Sequence, residues 1–138
     1  RRTPSRSSTR AVTVVLDSWA IIRYLEDAHP AADAVAELLE IDRPIVSWIN
    51  LGEVFYVVRR AAGEQAASTT LRDLKGVINA DLPTDGRIID AARIKSEHSM
   101  AYADAFAAAT AVAHDAVLWT GDPELLIAGA TWQWRDLR

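Results

Sequence analysis

No cysteine occurs in the 138 residues, so disulfides and thiolate metal sites are excluded, and any metal must be held by oxygen or imidazole. Histidine is scarce: His29, His98 and His114 stand far apart, none at metal-ligand spacing from another, and each falls where a helix is expected to end. Methionine occurs once, at Met100. No apolar run approaches the roughly 18 residues that a membrane span requires, and residues 1–10 lack the apolar core of a secretory signal. A soluble, cytoplasmic protein with no membrane partner is the expectation.

Acid is lacking only at the start. The first ten residues hold Arg1, Arg2, Arg6 and Arg10 and no carboxylate, and are expected to lie outside the fold as a disordered basic arm or expression remnant. Without them, 11 basic residues face 19 acidic ones, a net charge of −8. Such a body does not bind nucleic acid by charge alone, because phosphates are normally met by Lys and Arg. It suits a carboxylate cluster offset by bound cations. The length fits one domain, 11–138, and a hydrophobic fraction of 50% is ample for its core.

What is present alternates. The β-branched run Ala11–Leu16 reads as a strand buried on both faces, followed by a helix from Ser18 to about Asp27 and another from Pro30 to about Leu39. Ile45–Trp48 reads as a second strand, Ile49–Arg60 and Glu64–Val77 as helices, and Ile78–Leu82 as a third strand. Thr84 is placed to cap a helix with Ile88, Ile89, Ala92 and Lys95 in register. Eight alanines between Ala101 and Ala113 predict a helix beginning near Tyr102. Ala116–Trp119 reads as a short buried strand, with Pro123 opening a helix capped by Asp122. Thr131–Leu137 closes the chain as a strand with Trp132 and Trp134 on one face, as core or edge cover. Strands alternating with helices imply an α/β fold with a mainly parallel sheet covered by helices.

In such a sheet the strand carboxyl ends share one edge, where ligands bind. Asp17 and Asp122 are predicted to end strands there, and Glu53 and Asp104 to lie in first helical turns facing it. Each acid has a structural alternative: Asp104 and Asp122 would stabilise a helix N-terminus by about 0.5–1 kcal/mol, and Glu53, three residues after Asn50, fits a capping box. Four desolvated carboxylates without a neighbouring Lys or Arg repel one another by several kcal/mol unless protonated or bridged by cations, and Mg2+ or Mn2+ is the economical bridge. The basic surface is expected at Arg59, Arg60, Arg72 and Lys75, which a solvated helix face explains equally.

With these residues in view, VVLDSWAII at 14–22, NLGEVFYVV at 50–58, YADAFAAATA at 102–111 and LWTGDPELL at 118–126 resemble PIN-domain ribonucleases, above all the VapC toxin type. The resemblance implies a PIN-like three-layer sandwich around a five-stranded sheet. It implies Asp17, Glu53, Asp104 and Asp122 as a catalytic, metal-binding quartet supported by Ser18 and Thr120. It further implies Mg2+- or Mn2+-dependent endoribonuclease activity, homodimerisation and inhibition by a VapB-like antitoxin. Trp19 is bulkier than the small residue expected after Asp-Ser. The alternatives are a catalytically silent PIN-like binding module and another magnesium-dependent phosphoryl-transfer domain. An aspartyl phosphatase needs a second Asp where Trp19 stands, and a receiver domain needs a Lys near Asp122, where Pro123 and Glu124 follow instead.

Overall fold

A computed structural model describes residues 12–138; the expectation for residues 1–10 falls outside them. Five strands form one fully parallel sheet: β1 (Val14–Leu16), β2 (Ile45–Ser47), β3 (Asn79–Asp81), β4 (Val117–Thr120) and β5 (Gln133–Asp136), in the order β3-β2-β1-β4-β5. Six helices connect them: α1 (Ser18–Leu25), α2 (Ala31–Ile41), α3 (Trp48–Ala62), α4 (Glu64–Lys75), α5 (Asp85–Glu97) and α6 (Tyr102–Ala113). After β1 the chain builds outward through β2 and β3, then returns through α6 to place β4 on the other side of β1. The strand order therefore reverses between β1 and β4, the topological switch point at which open α/β sheets bind ligands.

Alternation along β1 splits the core into two layers. Val15 joins α5, α6, Leu118 and Trp132 on one face, while Val14 and Leu16 join α1, α2, α3 and Val46 on the other. The result is the three-layer sandwich. The alanine run explains how α6 fits: Ala105, Ala107, Ala108, Ala109 and Ala111 are all buried, so the helix is covered nearly all round. Small side chains let α5 and the sheet approach closely, and the same residues have the highest helix propensity.

The structure departs from the sequence reading in four places. The helix expected from Pro123 does not form; a turn closes with the Leu125 amide donating to the Asp122 carbonyl (2.9 Å), and Asp122 is no helix cap. α3 starts at Trp48, capped by Ser47, so Asn50 is interior and buried and Glu53 lies in the second turn. α5 is capped by Thr84 as expected, yet it buries Ala91 and Ile94 and leaves Ile88 and Ile89 exposed, because α6 packs on the other side of the helix. Strand β4 is shifted one residue, so that Thr120 ends it.

Trp132 and Trp134 do share a face, their indole N–H groups donating to the carbonyls of Leu125 and Ile127, each at 2.9 Å. The histidines fall at helix ends: His98 and His114 follow α5 and α6, and His29 precedes α2.

Ala108 is wholly buried in the middle of α6. Ala108→Leu is expected to lower unfolding free energy by about 1–3 kcal/mol, the usual cost of overpacking. The exposed Val112→Leu, one turn on, should change it by no more than about 0.5 kcal/mol. Urea unfolding of the two variants checks the contrast.

Candidate functional site

Asp17 follows β1 directly and is held on both carboxylate oxygens. The Ala20 amide donates to Oδ1 (2.9 Å), which makes Asp17 the N-cap of α1, and the Thr120 hydroxyl at the end of β4 donates to Oδ2 (2.5 Å). Thr120 Oγ1 in turn accepts from the Asp122 amide (3.0 Å). A continuous relay thus joins the first strand to the loop after the fourth, with Asp17 and Thr120 both buried.

Glu53 enters from α3. Its Oε1 accepts from the Ser18 hydroxyl (2.5 Å) and more weakly from the Asn50 side-chain amide (3.4 Å). Asn50 also donates to the Ala103 carbonyl (3.2 Å), tying α3 to the first turn of α6 beside Asp104. Its own Oδ1 is buried and has no partner among the described residues. Sequence reasoning saw Asn50 as a helix cap; its position one helical turn before Glu53 was the signal for a side chain that aligns the acid.

Asp104 stands in the first turn of α6, as the alanine run predicted, with a side chain almost shut off from solvent. Oxygens of Asp104, Asp122 and Glu124 lie within 4.8 Å of one another. Glu124 escaped the sequence reading because a helix was expected at Pro123, which would have turned it away. The turn that forms instead lets the Glu124 amide donate to Asp122 Oδ1 (3.0 Å), while the Glu124 carboxylate accepts from the Ala101 amide (3.3 Å). The signal was Asp122 and Glu124 two residues apart in an extended or turning chain.

The cluster therefore has two lobes, Glu53 with Ser18 and Asn50 on one side and Asp104, Asp122 and Glu124 on the other, and Asp17 interacts with both Glu53 and Asp122. Among the described residues no Lys, Arg or His forms a salt bridge to any of the five acids. Two of the acids, Asp17 and Asp104, have their proton affinity raised, in the first place by burial. Burial pushes the Asp17 carboxyl up to about 7, against the opposing Thr120 and Ala20 hydrogen bonds, with Asp122 and Glu53 adding repulsion. Burial, then the neighbouring Asp122 charge, pushes Asp104 up to about 8. An all-oxygen donor set in which two buried carboxyls hold their protons fits a hard divalent ion such as Mg2+ or Mn2+.

The sign of the pH effect follows. Both carboxyls hold protons in the folded chain that the unfolded chain releases above its ordinary value of 3.8. Their stabilising share is intact below that value and is lost as pH rises through about 7 and 8. In EDTA the melting temperature should fall between pH 5 and pH 8, and added Mg2+ should recover more of it at pH 8 than at pH 5. A Mg2+ effect of equal size at both values would contradict this account of the cluster.

With this geometry established, the chain can be set beside known proteins. None of the curated proteins matches its sequence. VapBC2 from Rickettsia felis, bound to a DNA fragment from its promoter, shares the fold with a TM-score of 0.74 at 13% identity, over 91% of this chain and 99% of that one. VapBC-1 from nontypeable Haemophilus influenzae aligns with a TM-score of 0.69 at 23% identity, over 91% and 98%. VapC20 from Mycobacterium tuberculosis, a Sarcin-Ricin loop cleaving toxin, aligns with a TM-score of 0.67 at 19% identity, over 85% and 95%. The family model described as PIN domain matches residues 14–129, which take in all the acids placed above, and the chain belongs to the PIN-domain family.

Proposed function

We propose that the protein is a metal-dependent endoribonuclease that hydrolyses RNA phosphodiester bonds as the toxin of a VapBC-like toxin–antitoxin pair. The observation that carries this is the uncompensated five-acid cluster at the β1/β4 switch point, in a family member whose structural neighbours are VapBC proteins.

Asp17, Asp104 and Asp122 would hold Mg2+ or Mn2+ most directly, joined by Glu124, with Glu53 completing the site or orienting the attacking water. Two such ions, when bound, make a water nucleophilic and neutralise the leaving oxygen. The chain's own residues set the geometry. Ser18 and Asn50 hold the Glu53 carboxylate in one orientation, and the Thr120 hydroxyl holds that of Asp17. Water oxygen bonds to phosphorus as the bond from phosphorus to the 3′ oxygen breaks; the water's proton passes to Glu53 or solvent, and the departing 3′ oxygen takes a proton from solvent. The products are a 5′ phosphate and a 3′ hydroxyl, because the ribose 2′ hydroxyl takes no part.

The same acids suit a basic antitoxin segment, since a guanidinium can pair bidentately with carboxylates and compete with the cations. We further expect a homodimer in the cytoplasm. On the side expected to be basic, Arg59 pairs with Glu64, Arg72 with Asp73, and Lys75 rests over the Trp48 ring.

Asp104→Asn should abolish metal-dependent cleavage of a structured RNA while melting in EDTA at pH 8.5 no lower than the parent. Glu124→Gln should lower Mg2+ affinity about 10–100-fold, the usual cost of losing a group that supports a metal site. Cleavage assays with Mg2+ or Mn2+ against an EDTA control, with calorimetric metal titration, check both; full activity in Asp104→Asn would refute the proposed site.

For the partners, light scattering should give twice the chain mass for the protein alone. Adding a cognate antitoxin should suppress cleavage, and changing that antitoxin's basic C-terminal residues to Ala should restore it.

A further inference from the structure

A cavity of about 470 Å3 is lined by Gly121 and Pro123, the two chain neighbours of Asp122, and so lies next to the acid cluster. Its size is within the range of sites that take small ligands, about 300–1,000 Å3. Its chemistry is the reverse of its neighbour's. Arg23, His29 and Arg138 line it and no Asp or Glu side chain does, in a body whose net charge is negative. These cations have acids nearby outside the lining: Glu26 at 3.4 Å from Arg23, Asp33 at 2.9 Å and Asp27 at 3.3 Å from His29, and Asp136 at 2.8 Å from Arg138. The Arg23 and His29 contacts are exposed and weak enough for a phosphate to compete, whereas Arg138 grips both oxygens of Asp136. The hydrogen bond to Asp33 also raises the His29 pKa, which favours its cationic form.

The inner wall holds a cation–π pair of Trp19 and Arg23. Trp19 lies so close to Gly121 that a Cβ there would come within 2.2 Å of its indole, and the Arg23 guanidinium sits 4.7 Å from the centre of the indole. Trp19 is the residue that departs from the small side chain expected after Asp-Ser, and here that bulk forms a wall. Aromatic rings and arginine planes are the surfaces on which unstacked RNA bases rest.

We propose that this cavity seats one unstacked nucleotide of single-stranded RNA beside the bond to be cut, its base on the Trp19–Arg23 pair and its phosphate towards His29 and Arg138. The inference rests on the ribonuclease function proposed above, and it adds where the substrate is gripped. An acidic peptide could use the same cations but gains nothing from the flat indole.

The test measures binding and cleavage separately. Fluorescence anisotropy with a labelled eight-nucleotide single-stranded RNA in EDTA reports affinity, and cleavage of the same RNA with Mg2+ reports KM and kcat. Arg23→Gln and Trp19→Ala should each weaken binding by at least about 5-fold, the low end for losing a base stack, and raise KM with kcat within about 2-fold. Arg138→Gln should reduce the slope of log affinity against log salt by about 0.7, one phosphate contact on a single strand. Arg93→Gln, on α5, should change neither. If Trp19→Ala does not fold, Arg23→Gln decides alone. A parent that fails to cut but binds RNA in an Arg23-dependent way would refute the ribonuclease function and support the pocket. A parent that cuts while Arg23→Gln binds RNA unchanged would refute the pocket and leave the ribonuclease function standing. Parent-like RNA affinity in Arg23→Gln together with lost affinity for a glutamate-rich peptide would overturn the proposal in favour of a peptide site.

Discussion

The carboxylate of Asp17 is where the parts of this structure meet. It must be buried, because it sits where β1 ends inside a covered sheet, and a buried carboxylate persists only with both oxygens occupied. The Ala20 amide and the Thr120 hydroxyl meet that demand, and in doing so they fix where α1 starts and how the end of β4 lies against it. Thr120 then orders the Asp122 amide, so the loop that carries Asp122 and Glu124 inherits its position from Asp17. Even so, two hydrogen bonds do not outweigh the burial, and its proton affinity stays raised. The fold thus holds a group whose ionised state is incomplete without further positive charge.

Around that point the two helices bearing the other acids are held by different means. α6 is driven into the centre by its alanines, whose small size lets it lie against three strands and α5, and Asp104 is carried in at its first turn. α3 is aligned by polar contacts: Ser47 caps it, Asn50 binds the Ala103 carbonyl, and Glu53 receives Ser18. The first is shape-driven and tolerant of exact register. The second depends on particular hydrogen bonds, which set the orientation of Glu53.

Much of this arrangement was legible in the sequence because short-range patterns carried it. β-branched runs marked the buried strands, the alanine run marked α6 and its start, and Thr84 marked the start of α5. Tertiary pairing hid the rest. Pro123 after Asp122 fits a helix start locally, but the chain there must cross to β5 within a dozen residues, and a turn wins. That turn is what brings Glu124 to Asp104, so one local misjudgement concealed a member of the cluster. Asn50 was hidden likewise, since Ser47 took the capping role and released Asn50 for contacts that span 53 positions in sequence. Ile88 and Ile89 misled as a core face because periodicity cannot tell which side of an amphipathic helix a later helix will cover.

The contact between Trp19 and Gly121 ties two distant positions into one heritable unit. No side chain larger than hydrogen fits at 121 while the indole occupies its place, so the residue at 19 must shrink before the one at 121 can grow. The reverse order passes through an intermediate with overlapping atoms beside the acids. Substitution at these two sites is therefore ordered: position 121 stays closed to any side chain for as long as the indole at 19 keeps its place.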